Sequence, residues 1–527
     1  MSSLKKASRP AKRRRAEFGQ HTEDDDLSAA QSQAAQPSAS AWSTRKVHTT
    51  GHVQSLASFC IQVFVRHFKR LAARSDDDDW EELKGRLALM PEAYVPRIFA
   101  ALRSACPTVL GNKEMTYFMR GTSVVLTEDL PGVNRDTLGM IGQGPYRRTL
   151  LELHVTGQTR IADSVFASTV SKLTVLKVLN LRGCTKAGAK TVAAAATSCP
   201  NLTSLNLNYT STTPVSLAPL LRNCTSLEVL KLAGIPNWTE ATVSKLWAEL
   251  KLTELADFHL PESRFKNLKN LKLRQTAVTD TAVNRWLLLC PNIRRLDLSF
   301  TAVQHPAVLL NAESLAIEKL SLTSTRISVT NLLQMLTHMP ELKTLAIGAL
   351  GANRGLTAAI ANTTAMTLSD VGLHDITDIL AECKHLENVN LVGNSKLGMA
   401  SRKGVVLSDF ISRVGRRCKS LNMAGITYFT SACLEGLQPQ GDEGPSRLQT
   451  LVLNNTHIDD EATPFLSSCP DMRVLELANT KVTSAGLFPL IDACPKLEQL
   501  NLTSCRGIGV VDRRKFFEVW EEEWKDQ

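Results

Sequence analysis

No two cysteines in this 527-residue chain are separated by two residues, although twelve are present. Structural zinc sites and thioredoxin-like motifs need that spacing, so neither chemistry is expected. The nucleophile elbow Gly-x-Ser-x-Gly, the zinc motif His-Glu-x-x-His and a P-loop are missing as well. The eleven histidines are scattered, and single ones such as His154 and His374 read as surface residues. No catalytic residue, cofactor or metal ligand is therefore assigned, and the chain is not expected to be an enzyme. No apolar run reaches the roughly 18–20 residues that a transmembrane helix needs, so no membrane partner is expected. The first residues, Met-Ser-Ser-Leu-Lys-Lys, carry no apolar stretch behind their charges, so no secretory signal is read there. Aromatic residues make up only 5%, which leaves leucine to carry the packing.

Leucine is present in a repeated phrase. It reads Leu176-Lys-Val-Leu179-Asn-Leu181-Arg-Gly-Cys184 early in the chain and Leu497-Glu-Gln-Leu500-Asn-Leu502-Thr-Ser-Cys505 near the end. Copies begin at Leu150, Leu176, Leu202, Leu227, Leu268, Ile293, Ile317, Leu342, Leu386, Leu448, Met472 and Leu497, with a weaker one at Cys418. Apolar residues at positions 1, 4 and 6 suit a short strand whose alternate side chains point inward. Most intervals leave room for a turn and a helix. One copy cannot bury its own leucines, but stacked copies share a core and leave one sheet face free. Cysteines such as Cys199, Cys224, Cys290, Cys469 and Cys494 lie three residues before a copy, a packing role for small, weakly polar side chains. Unpaired thiols of this kind suit a reducing compartment. Threonine recurs at position 9 (Thr210, Thr276, Thr301, Thr325, Thr456, Thr480), where its hydroxyl can satisfy turn backbone groups.

This pattern resembles the cysteine-containing leucine-rich-repeat family, whose fold is RNI-like. It implies an α/β solenoid with a curved parallel sheet inside, helices outside and a helical module before the repeats. The expected organisation is a disordered basic tail over 1–50, a helical module over 51–110, a connector and N-terminal cap over 111–148, repeats over 149–510 and a capping helix over 511–527. Residues 124–126 read as a capping strand, and the stretches near 348–365 and 437–446 read as insertions. The net charge is +10, yet seven basic residues against Glu17 alone place six of those charges within residues 1–20. Lys5, Lys6, Lys12, Arg13, Arg14 and Arg15 form two clusters similar to a nuclear import signal, so a nuclear location is expected, with the cytoplasm also open. The acidic run over 23–26 reads as a solvated spacer.

The helical module carries the sharper functional hint. Ser55, Leu56, Cys60 and Phe64 resemble the elongin C-binding box of cullin–RING substrate receptors, with Phe64 replacing the usual aliphatic residue. Met90, Pro91, Tyr94 and Ile98 are similar to the cullin-contacting element of such receptors, and the same stretch could equally open a degenerate F-box. The resemblance implies a small adaptor, elongin C or its F-box-binding relative, together with a cullin and a protein substrate held on the repeats. Outward positions of the central strands carry Arg182, Lys231, Lys272, Arg274, Arg295 and Lys319. That band suits an acidic or phosphorylated ligand, since Arg and Lys pair well with carboxylate and phosphate; a solvated lysine-rich face is the plainer reading. The function expected is a non-catalytic substrate-recognition subunit of a ubiquitin ligase complex. The alternatives are a nuclear interaction scaffold in DNA repair or cell-cycle control, and nucleic-acid binding through the tail and the band.

Overall fold

The phase of the leucines sets the architecture. The computed structural model describes residues 42–44, 55–72, 78–252, 265–311, 315–349, 367–400, 404–439, 444–509 and 511–512. Among them, the repeats from Leu176 onward place positions 3 to 5 in a three-residue strand with the position-4 residue at its centre, as Leu179, Leu205 and Leu230 show, and the repeat at Leu150 extends its strand to position 6. The strands are β1 (Trp42–Thr44), β2 (Ser123–Leu126), β3 (Glu152–Val155), β4 (Val178–Asn180), β5 (Ser204–Asn206), β6 (Val229–Lys231), β7 (Asn270–Lys272) and β8 (Arg295–Asp297). They continue with β9 (Lys319–Ser321), β10 (Thr344–Ala346), β11 (Asn388–Asn390), β12 (Ser420–Asn422), β13 (Thr450–Val452), β14 (Val474–Glu476) and β15 (Gln499–Asn501). β2 to β15 form one parallel sheet in chain order. Between strands the chain returns through helices such as Ala189–Ser198 and Ser484–Ala493, so the fold is a leucine-rich-repeat solenoid. The expected strand at 124–126 is β2, and the weak copy at Cys418 supplies β12.

The turn after each strand explains the polar residues at position 5. The side chain of Asn206 accepts the Asn208 amide (3.1 Å), Asp297 that of Ser299 (3.0 Å) and Asn501 that of Thr503 (3.0 Å). These side chains serve their own turn. Position 8 then takes a left-handed backbone, for example at Gly183 (φ 73°), Gly234 (φ 63°), Tyr209 (φ 58°) and Phe300 (φ 59°). Gly234 is constrained twice, because a Cβ there would also meet the Tyr209 ring at 2.3 Å. The position-9 threonines act as expected: the hydroxyl of Thr276 donates to the Leu273 carbonyl (2.6 Å) and that of Thr480 to the Leu477 carbonyl (2.7 Å).

The thiols form a ladder through the core. Cys199 donates to the Leu173 carbonyl at 3.3 Å and Cys224 to the Cys199 carbonyl at 3.4 Å. Burial pushes Cys199 and Cys494 up to about 12 and Cys224 and Cys469 up to about 11. Such thiols hold almost no thiolate at neutral pH. Cys60 is exposed and Cys106 half-buried. Brief alkylation of the native protein is therefore expected to label Cys60 first, and the ladder cysteines only after unfolding. Mass spectrometry of tryptic peptides reads this directly, and early labelling of Cys199 or Cys494 would refute it.

Carboxylates join neighbouring repeats. Asp163, in the first turn of its helix, accepts the amides of Gly188 (2.9 Å), Lys190 (2.9 Å) and Thr191 (3.0 Å) in the next repeat. Asp280, Asp370 and Asp460 repeat the device toward Gln304, Gly398 and Thr483. Burial pushes the Asp163 carboxyl up, but the Thr191 hydroxyl and the three amides outweigh it and hold the group below its ordinary 3.8. A lowered carboxylate stabilises the fold fully above its ordinary value, and that contribution fades as pH falls through the lowered value. The Asp163→Asn protein is thus expected to be less stable at pH 7, with a gap to wild type that narrows below pH 3.8. Chemical denaturation at both pH values tests this; a gap independent of pH would refute it.

The helical module is continuous with the repeats. Its helices are α1 (Leu56–Ala72), α2 (Asp78–Ala88) and α3 (Val95–Ala105). One core runs from Phe68 to Ile508. Phe68 and Phe99 both lie against Phe118 of the connector, with ring centroids 6.1 and 5.9 Å apart, and the Arg103 guanidinium donates to the Val125 carbonyl of β2 (3.0 Å). One expectation is corrected: the stretch over 1–50, read as disordered throughout, contains β1, which pairs antiparallel with β15 through Trp42↔Asn501 and Thr44↔Gln499. The partner strand lies over 450 residues away, beyond any local pattern. Most of the tail, including Lys5, Lys6, Lys12, Arg13, Arg14 and Arg15, lies outside the described residues, as do most of the 348–365 insertion and of the expected capping helix.

Candidate functional site

Two surfaces have the geometry of binding sites. The first is on α1. Ser55 begins this helix, its hydroxyl oxygen accepting the Ser58 amide (3.3 Å) and pairing with the Ser58 hydroxyl (3.0 Å). It caps the orphan amides of the first turn, a role distinct from a partner contact. Leu56 (79% exposed), Phe59 (49%), Cys60 and Val63 (53%) then follow at intervals of three and four. They form one outward stripe. The inward side carries Phe68, wholly buried, and half-buried Phe64, whose ring lies 5.6 Å from that of Phe68. Phe64 is therefore a core-facing residue, and Val63 takes the outward place that the sequence pattern assigned to Phe64. An interval of eight residues carries the side chain past the stripe that four and seven keep.

The second element of the module divides similarly. Pro91 and Tyr94 are exposed, Met90 is half-buried against the core, and Leu89 stands out in solvent. Ile98 is 6% exposed and packs inward with Phe99 and Leu102, so it faces the core and not a partner. Helical periodicity alone cannot distinguish the two faces of a short helix that has apolar residues on both.

The second surface is the sheet face of β6 to β9. Register places Lys231 beside Lys272 and Arg295 beside Lys319. Arg295 is exposed, while Lys231 and Lys319 are half-buried. Lys272 and Arg274 depart from the expected open band, being 8% and 2% exposed. Lys272 Nζ lies 3.5 Å from Asp297 Oδ2, and the Arg274 guanidinium sits 4.8 Å above the Phe300 ring, a cation–π contact. Arg182 follows β4, two strands from β6, and is outside the patch. The sequence reading missed Phe300 and Tyr209, two bulky residues kept in the left-handed region beside the cations. Tyr209 donates its hydroxyl to Gln275 Oε1 (2.6 Å). The missed signal was an aromatic residue where most other repeats use Gly, Asn or Ser.

No family model matches the sequence. Among curated proteins, the chain is 37% identical over 92 residues to F-box/LRR-repeat protein 23 of Arabidopsis thaliana, covering 15% of this chain and 20% of that protein. It is 30% identical over 110 residues to F-box/LRR-repeat protein 9 of the same plant, covering 20% and 44%. The chain thus spans less than half the length of these relatives. Among solved structures, a chain of the Rad7 and Elc1 complex in yeast aligns with a TM-score of 0.48 and 15% identity over 87% of this chain and 95% of that one. The repeat phrase and the parallel sheet make the fold a leucine-rich-repeat solenoid, and over these short stretches the chain is similar to F-box/LRR-repeat proteins.

Proposed function

We propose that this protein is a non-catalytic substrate-recognition subunit of a cullin–RING ubiquitin ligase, working in the nucleus. The observation that carries the reading is the exposed stripe Leu56, Phe59, Cys60 and Val63 on a helix fixed to the first repeats. A helix that presents apolar anchors at this spacing suits docking into the groove of a small adaptor, with leucine filling a pocket and cysteine allowing close approach. The homology to F-box/LRR-repeat proteins supports a receptor role. The match of Ser55, Leu56 and Cys60 favours elongin C over its F-box-binding relative, and the exposure of Pro91 and Tyr94 supports a cullin contact. The repeats would hold a protein substrate. Their contribution to catalysis is positional, raising the local concentration of substrate lysines near a charged ubiquitin-conjugating enzyme. Co-expression of the full chain with each adaptor, followed by size-exclusion chromatography, tests the reading. A stable complex with one adaptor is expected; co-elution with neither would refute it.

A further inference from the structure

The outward stripe of α1 does not stop at Val63. A helix turns by about 100° per residue, so positions 66, 67 and 70 continue the line of 56, 59, 60 and 63. They hold Arg66, His67 and Arg70, all exposed. The stripe is therefore divided along its length, apolar in its first half and cationic in its second. Leu56 and Val63 are ~10 Å apart along the axis, and Leu56 and Arg66 ~15 Å. No Asp or Glu occurs between Leu56 and Ala72. Among the described residues, the side chains of Arg66, His67 and Arg70 form no ion pair or hydrogen bond.

Helix stability does not account for this half. Cations suit the C-terminal end of a helix, but the benefit is confined to its last turn. Lys69 and Arg70 occupy the last turn of α1, and Arg66 and His67 precede it. Arg66 and Arg70 stand four apart, a spacing at which like charges destabilise a helix. The neighbouring α2 has the ordinary arrangement, with Arg86 paired to Glu82 four residues away at 2.5 Å. The cationic half is also the firmly held half. On the inward side Phe68 is wholly buried, with Phe64 and Phe118 against it. The charges thus project from a fixed backbone, which lowers the ordering cost of binding.

We propose that α1 lies lengthwise on its adaptor, and that the adaptor's groove ends in carboxylates that receive Arg66 and Arg70. The proposal rests on the adaptor reading, and names the chemistry that the partner must add to its apolar pocket. Arg suits the task because its planar fork can give a carboxylate two parallel bonds. The halves of the stripe divide the work. Leu56 and Cys60 are desolvated in the complex and set how slowly it dissociates. The cations act at the rim and over distance, and set how fast it forms.

Biosensor kinetics of the full chain on immobilised elongin C, and in parallel on its F-box-binding relative, test this. At about 0.05 M salt the protein carrying R66E and R70E should associate at least ~10-fold more slowly than wild type, with a smaller change in dissociation. Raising the salt to about 0.5 M should erase most of that difference. R66Q with R70Q, which adds no negative charge to the helix, should slow association in the same direction by a smaller factor. K481E with R506E changes two exposed residues beside the last strands and alters net charge as R66E with R70E does; its association rate should match wild type. Thermal unfolding of each variant checks the fold, and the glutamine pair decides if the glutamate pair fails to fold. Wild-type association by the folded α1 variants would overturn the proposal and leave the adaptor reading standing. Equal slowing by the distant pair would assign the effect to net charge and overturn it as well. Capture of neither adaptor by the wild-type chain would refute the adaptor reading, and the proposal with it.

Discussion

Replacing Leu56 and Cys60 with aspartate is expected to abolish adaptor capture while leaving the unfolding midpoint of the solenoid where it was. Leu56 is 79% exposed and Cys60 is exposed, so neither change removes core. Exposed substitutions of this kind usually alter stability by less than about 0.5 kcal/mol. Leu56 is also the first residue of α1, where a carboxylate suits the positive end of the helix. The interface would lose far more. A central apolar anchor is commonly worth at least about 2 kcal/mol, roughly 30-fold in affinity. Two buried charges would add to that. Isothermal titration with the purified adaptor measures the loss, and thermal unfolding of the same sample checks the fold. Wild-type affinity in the double variant would exclude α1 as the contact. Phe68→Ala is the contrasting control: that side chain is wholly buried against Phe64 and Phe118, so its loss should lower stability.

The second large effect is expected from Trp286→Ala. Trp286 is fully buried in the helix Asp280–Leu289. Its ring meets Trp247 edge-on with centroids 4.9 Å apart, and Phe265 at 6.1 Å. These three rings join the repeats of β6 and β7 behind the basic patch. Truncating a buried tryptophan costs about 3–5 kcal/mol, through lost burial and the cavity left behind. Each repeat rests chiefly on its neighbours, so a weak junction in mid-solenoid can uncouple the two flanks. Urea unfolding should show a lower midpoint, and a broadened or two-step transition in place of a single one. Trp286→Phe should recover most of the loss, since the indole nitrogen makes no hydrogen bond that phenylalanine would forfeit. An unchanged midpoint in the alanine variant would mean that the aromatic junction is dispensable.

Much of the scaffold could be read from the chain. The spacing of Leu176, Leu179 and Leu181 places a strand at Val178–Asn180, and the threonines of position 9 close their turns as their chemistry suggests. The read-out failed where a residue has two uses of equal local merit. Asn180, Asn206 and Asp297 sit at outward strand positions but spend their side-chain oxygens on their own turns. Lys272 belongs to the basic band, yet turns toward Asp297 on the next strand. Phe64 and Ile98 fit the apolar spacing of a contact helix, and both face the core. The Asp163 and Asp370 bonds between repeats were legible in principle, as aspartate recurring in the first helical turn. They went unread because an acidic first turn has an ordinary explanation in the helix dipole.

The repeating unit is written in local order along the chain, because every contact that builds it is local or reaches a copy of the same phrase, in most cases about 25 residues away. Periodicity carries that information, so leucines, buried thiols and turn threonines could be assigned without coordinates. The remaining features depend on packing between distant segments. Whether Leu56 or Phe64 faces solvent depends on how α1 lies against α3 and Phe118. Whether Lys272 and Arg274 are open depends on the strands beside them. The pairing of Trp42–Thr44 with Gln499–Asn501 joins the two ends of the chain, and no repeat, however regular, encodes which distant segment will cover its last edge.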